Sequence, residues 1–209
     1  MDTLQIHLVN NNKFYSSTEF YAIFIAAFSL IVSIISIYLQ YKKGKIYVPP
    51  IRSFGLEFLY SDENVDRSGM RCILPIAFYN SGNKHKAITD IRLAIRGTQN
   101  NYFYFRANHF VKNLGSTETG AHSVPETINW FHQIIIPPKE SKIFNIEFLL
   151  SNVDDINEIL NLSRIVFQIQ LKLGNDKTFK TYQSFRKTIT TDFIDSLAQQ
   201  YIVYEPDLA

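Results

Sequence analysis

The chain has 209 residues, of which 46% are hydrophobic and 19% charged, and its 21 basic and 19 acidic side chains leave a net charge of +2. That balance excludes a strongly electrostatic nucleic-acid binder. Eight glycines, with no GxSxG, GxxxxGK[ST] or GxGxxG pattern, exclude the common phosphate-cradling and nucleophile-elbow sites.

The first 19 residues read as a short, nearly neutral tail. Residues 20–41, FYAIFIAAFSLIVSIISIYLQY, contain no charge, glycine or proline. As a helix rising about 1.5 Å per residue this run spans roughly 33 Å, the thickness of a bilayer's hydrocarbon core. Phe, Ile, Leu and Val occupy twelve of its first twenty positions. At about −0.3 to −0.6 kcal/mol each they favour insertion by roughly 4–7 kcal/mol. A cleaved signal peptide fits less well, because the run is too long and no basic stretch precedes it. Lys42, Lys43, Lys45 and Arg52 follow the run and only Lys13 precedes it. The positive-inside rule then predicts one span, with the tail outside and the C-terminal part in the cytoplasm. The single cysteine, Cys72, allows no intramolecular disulfide, which agrees with a reducing compartment.

Within the span, Ala22, Ala26, Ser29, Ser33, Ser36 and Gln40 recur at alternating spacings of four and three. Small and weakly polar residues on one helix face let backbones approach and hydrogen-bond across an interface. The stripe predicts self-association or docking on the helix of a membrane-protein partner.

Residues 42–50 form a linker that Pro49 and Pro50 stiffen. From residue 51 to 209 the pattern predicts strands. Cys72, Leu74, Ile76 and Phe78 make one inward set, and Ile91, Leu93 and Ile95 a second. Phe144, Ile146, Phe148 and Leu150 make a third, and Ile165, Phe167, Ile169, Leu171 and Leu173 a fourth. Such period-two alternation marks strands with one buried face. Weaker strand signals cover 54–60, 102–106, 128–136 and 177–189. Pro75 predicts an edge or a bulge, because it cannot donate to a ladder. Turns are predicted at Asn80-Ser81-Gly82-Asn83, at Pro137-Pro138 and at Gly174-Asn175-Asp176, the last as a hairpin. A short helix is predicted over 153–161, capped by Ser151 or Asn152, and a C-terminal helix starts after Thr190, Thr191 or Asp192. The fold class expected is mainly β: one N-terminal transmembrane helix, then an antiparallel immunoglobulin-like β-sandwich carrying these two helices.

Chemistry is sparse. The five histidines, His7, His85, His109, His122 and His132, have no metal-ligand spacing, and Cys72 falls in an inward set as a buried thiol. Asp154, Asp155 and Glu158 suit a helix start. No metal, cofactor or catalytic residue is expected. Two surfaces stand out. Arg92, Arg96, Arg164, Lys172, Lys180 and Arg186 form a basic face if their strands are neighbours, suited to a small anionic ligand, an acidic partner or anionic lipid. The long run 107–127, with Tyr102, Tyr104, His109, His122 and Trp130 in or beside it, suits protein or ligand contact. The sequence therefore predicts a membrane-anchored, non-enzymatic binding or scaffolding module, likewise a homo-oligomer or a partner of another membrane protein. The alternative is an effector in which ligand binding drives assembly of the transmembrane helices and disturbs the bilayer.

Overall fold

The uncharged run folds as one helix, α1 (Thr18–Tyr41). Its segment Phe20–Tyr41 has a mean hydropathy of 2.6, is long and apolar enough to cross a membrane, and has none of its most apolar stretch buried within the chain. A helix apolar on every face and covered by nothing is unusual in water. In the stripe, the Ser33 hydroxyl donates to the Ser29 carbonyl of the same helix at 2.8 Å. This computed structural model describes residues 18–41, 44–61, 64–97, 101–112, 125–199 and 202–207. It divides into two units, Met1–Lys43 and Gly44–Ala209.

Among the described residues the second unit has eleven antiparallel strands and two helices. In order they are β1 (Ile46–Tyr47), β2 (Phe54–Ser61), β3 (Asn64–Asn80), β4 (Lys86–Arg96), β5 (Tyr102–Val111), β6 (Thr127–Trp130), β7 (Ile134–Ile136), β8 (Ser141–Leu150), α2 (Val153–Leu160), β9 (Arg164–Leu173), β10 (Lys180–Thr188), α3 (Thr191–Gln199) and β11 (Ile202–Tyr204). One hydrogen-bonded path runs β10-β9-β4-β5-β8-β3-β2-β11. Its two ends meet: beyond β11, the Asp207 amide donates to the Arg186 carbonyl of β10 at 2.9 Å, and the Thr188 amide donates to the Asp207 carboxylate. The sheet is therefore nearly closed and barrel-like.

This corrects the immunoglobulin-like expectation. A sandwich needs two separate sheets, and here β5 joins the halves. Its residues 102–106 pair with β4 and its residues 106–111 with β8. The inward sets lie where alternation put them. Cys72, Leu74, Ile76 and Phe78, then Leu93 and Ile95, then Ile146 and Phe148, and Ile165 through Leu171 on alternate positions, are all fully buried. Phe54 of β2 reaches across to Phe167 and Phe185, with ring centroids 5.5 and 5.3 Å away.

Several boundaries differ from the expectation. Ile46 and Tyr47, in the predicted linker, pair with Asn80 and Tyr79. The run 107–127 is strand as far as Val111, and residues 113–124 lie outside the described residues. The signal over 128–136 resolves into the two short strands β6 and β7. Pro75 falls where β3 is paired with β8 alone, between the registers of β2 and β1, a local edge. The β9–β10 hairpin forms, and Gly174 turns it with a φ of 53°, which favours glycine. Asn152 caps α2, accepting from the Asp154 amide, and Thr190 caps α3 through the Phe193 amide.

The turn after β3 is a hub. Asn80 is fully buried, and its Nδ2 donates to the carbonyls of Lys84, Ile136 and Pro137 at 2.8–3.1 Å while its Oδ1 accepts from the Gly82 amide. Lys139, with a φ of 58°, is held there by its amide on the Asn80 carbonyl and its Nζ on the Ser81 carbonyl. The first residues of the unit dock on the same turn. A Cβ on Gly44 would lie 1.9 Å from the Gly82 Cα, and Lys45 and Ser81 exchange backbone and hydroxyl bonds. Asn80→Ala leaves buried carbonyls without a donor. It is expected to lower stability by about 1–3 kcal/mol, read as a fall in the thermal midpoint of the full chain in detergent.

A candidate recognition surface on the outer face

Where one face of a curved sheet fills the core, the other carries the chemistry. Register places one row of outward residues across seven strands: Thr181, Gln170, Arg92, Arg106, Leu149, Arg71 and Glu57, each opposite the next. Three arginines stand in that row, and they are treated differently.

Arg71 is neutralised. Its guanidinium bonds the Glu57 carboxylate and lies 3.4 Å from Glu147. Glu147 is only 4% exposed although its neighbours Ile146 and Phe148 point the other way, into the core. A β-bulge in β5 serves it. The register slips between Ala107 and His109, leaving Asn108 unpaired, so that Asn108 Nδ2 and His109 Nδ1 both reach Glu147 Oε1, at 2.9 and 2.8 Å. Because a carboxylate only accepts, the bond to Glu147 is made by the form of His109 that carries its proton on Nδ1, an atom that also lies 2.7 Å from Asn108 Nδ2. Trp130 pairs with His109 in register, lies tilted against its ring with centroids 4.2 Å apart and is 71% exposed. Burial acts to raise the Glu147 carboxyl, and the bonds from His109 and Asn108 with the Arg71 charge overcome it, holding the group below its ordinary value. For Glu57 burial prevails over Arg71, and the carboxyl is raised.

Arg92 is held by neutral groups. Its guanidinium lies over the Tyr104 ring at 3.9 Å and the Phe179 ring at 4.1 Å, and its Nε donates to Gln170 Oε1 at 2.7 Å. Lys172 sits over Phe179 at 4.6 Å, and Tyr102 stacks on Tyr104. Among the described residues, neither Arg92 nor Arg106 is in an ion pair.

The basic set expected from the sequence thus divides. Arg92, Arg96 and Lys172 lie on β4 and β9, beside Tyr102 and Tyr104 of β5; Arg96 is opposite Tyr102. Lys180 is paired with Asp176 at 3.0 Å. Arg186 lines a groove of about 730 Å³ at the seam of the barrel, with Arg52, Gln183, Ser184, Glu205 and Asp207. Arg164 acts on Asp207 there. Burial raises the Asp207 carboxyl, but its Thr188 bonds and the charges of Lys187 and Arg164 prevail and lower it. His109 and Trp130 come together, and His122 lies outside the described residues. Cys72 points into the core, and burial pushes its thiol up, away from the reactive thiolate. Among the described residues no three His, Cys, Asp or Glu are grouped to hold a metal ion. Sequence reasoning missed Glu57, Arg71, Arg106, Asn108, Glu147, Gln170 and Phe179. Glu147 left one trace, a lone acid within the apolar stretch FNIEFLL.

No family model matches the sequence, and no curated protein does. Among solved structures, a Bordetella pertussis protein assigned as ApaA is 8% identical over 72% of this chain and 98% of its own, with a TM-score of 0.35. A protein from Archaeoglobus fulgidus is 10% identical over 77% of this chain and all of its own, with a TM-score of 0.34. Likeness at this level carries no argument about fold or function.

Glu147→Gln is expected to cost about 1–3 kcal/mol at neutral pH, since the charge is lost and one of the two acceptor oxygens, which serve Arg71 and His109 separately, becomes a donor. Because Glu147 is depressed in the folded state, its contribution is complete above the ordinary carboxyl value of 4.5 and declines as pH falls through the folded value. Thermal melts of native chain and variant should therefore differ by a constant amount down to that pH and converge below it. A gap that persists in acid would show that the carboxylate charge contributes nothing.

Proposed function

We propose that this chain is a single-pass membrane protein whose β-rich unit is a cytoplasmic binding or scaffolding module, acting by recognition and colocalisation rather than catalysis. The observation that carries the reading is α1. A 22-residue apolar helix with no buried surface in its own chain has a bilayer as its natural solvent. Four basic residues after the helix against one before it support the orientation.

The recognition surface in this reading is the outer face around β4, β5 and β6. Here Tyr102 and Tyr104 are partly exposed, Trp130 is largely exposed, and free arginine charge lies between them. Aromatic rings with a rigid backbone and a polar handle are frequent anchors of interfaces. The small-residue face of α1 supports pairing with a second copy or with a partner's helix. The back-bond from Ser33 to Ser29 leaves close backbone approach, not hydroxyl bridging, as the main contribution at that position.

The chain is expected to stay in the membrane pellet after alkaline carbonate extraction. Asn175→Cys, in the exposed β9–β10 turn, is expected to resist an impermeant thiol reagent in intact cells and to react once they are permeabilised. Cys72 is buried and adds little background. Release by carbonate would refute the span, and labelling in intact cells would reverse the orientation. Capture of the solubilised chain, with mass spectrometry of what accompanies it, then tests the binding role.

A further inference from the structure

We propose that the outer face of β4 and β5 holds a phosphate group, received by the paired guanidinium groups of Arg92 and Arg106. This rests on the reading of the β unit as a binding module and names the chemistry of what it binds. Arg92 and Arg106 stand directly opposite each other in the β4–β5 ladder. Like charges at such positions repel and cost stability. The usual remedy is an acid on a neighbouring strand, which Arg71 has in Glu57 and Glu147. Arg92 has no such partner among the described residues, and neither does Arg106. Asp90, two residues before Arg92, is opposite Lys172 and makes no ion pair with either arginine. Arg92, Arg106 and Lys172 against Asp90 leave a local charge of three minus one, or +2.

Arg92 is also pre-organised. Its Cζ lies over both the Tyr104 and the Phe179 ring, and Gln170 holds Nε. Among the described residues its terminal nitrogens have no hydrogen-bond partner, and they form the edge with which arginine takes two oxygens of one oxyanion. Arg106 is exposed and brings a second fork from the facing strand. A dianionic phosphate has the charge and the three acceptor oxygens to engage both, whereas a carboxylate satisfies only one. The donor set suits the phosphate of a soluble phosphoester and that of a lipid headgroup equally.

The test uses the full chain in nanodiscs of neutral phosphatidylcholine, titrated calorimetrically with pyrophosphate. Saturable uptake is expected that weakens as chloride is raised. Arg92→Gln or Arg106→Gln should weaken it about tenfold or more, the scale of a charged hydrogen-bond pair. Arg92→Lys should also weaken it, because the charge remains but the fork is lost. Lys142→Gln, an exposed change of the same charge away from the row, should leave it unaltered. Without ligand, Arg106→Gln should raise the thermal midpoint by relieving the repulsion. Nanodiscs containing phosphatidate identify the source of the phosphate. Competition there with pyrophosphate supports a headgroup, and unaltered uptake supports a soluble phosphoester. No saturable uptake by the native chain, uptake by the glutamine variants equal to native, or a lowered midpoint for Arg106→Gln would each overturn the inference. A chain that resists carbonate extraction yet takes up no pyrophosphate defeats this inference alone; loss from the membrane defeats the reading beneath it.

Discussion

The two-sided pairing of β5 is the constraint on which the barrel depends. Arg106 is the residue at which that strand pairs with both halves at once, with Arg92 on β4 and with Leu149 on β8. Before it β5 belongs to the half that includes β9 and β10, and after it to the half that includes β3 and β2. Without this bridge the strands would separate into two layers. With it they form one twisted sheet whose ends meet at Asp207 and Arg186. Closure also removes most of the free edge along which unpaired strands aggregate.

Closure sorts the side chains. Phe54, Phe105, Phe148 and Phe167 lie fully buried inside. The charged side chains then fall to the outside, where cross-strand neighbours decide what each charge does. Arg71 is spent on Glu57 and Glu147, and Glu147 in turn holds His109 beneath Trp130. This cluster is structural: a half-satisfied carboxylate at that depth would be costly, and the bulge at Asn108 supplies the missing donors. Arg92 and Arg106, three and two strands from Arg71 along the same row, keep their charge. The contrast between a neutralised arginine and two unneutralised ones in one register line marks off the part of the surface that holds the fold.

The legible features of the sequence were those with a local cause. Period two put Cys72 to Phe78 and Ile165 to Leu171 into the core because a strand's alternate side chains must face it. The 22-residue apolar helix needed only composition and length. The hairpin at Gly174 and the caps at Asn152 and Thr190 follow from backbone preferences of single residues. Pairing partners far apart in sequence left no such mark. Glu57 and Arg71 look like ordinary surface charges until β2 and β3 align, and Glu147 meets Arg71 across 76 residues. The bulge at Ala107-Asn108-His109 sits at the start of a polar run that resembles a loop. Strands as short as Ile46–Tyr47 and Ile202–Tyr204 exist only because β3 and β2 offer them an edge. A sandwich and a barrel share alternation, strand length and turns, so the choice between them rests on how β5 pairs, which no local pattern reports.

Cross-strand nuclear Overhauser contacts from the backbone of Arg106 therefore test the account most directly. Contacts to Arg92 and to Leu149 together are expected, from one continuous sheet with the arginine row on its outer face. Contacts to only one of the two would place β5 in a single layer, dissolve the row, and return the domain to two separate sheets.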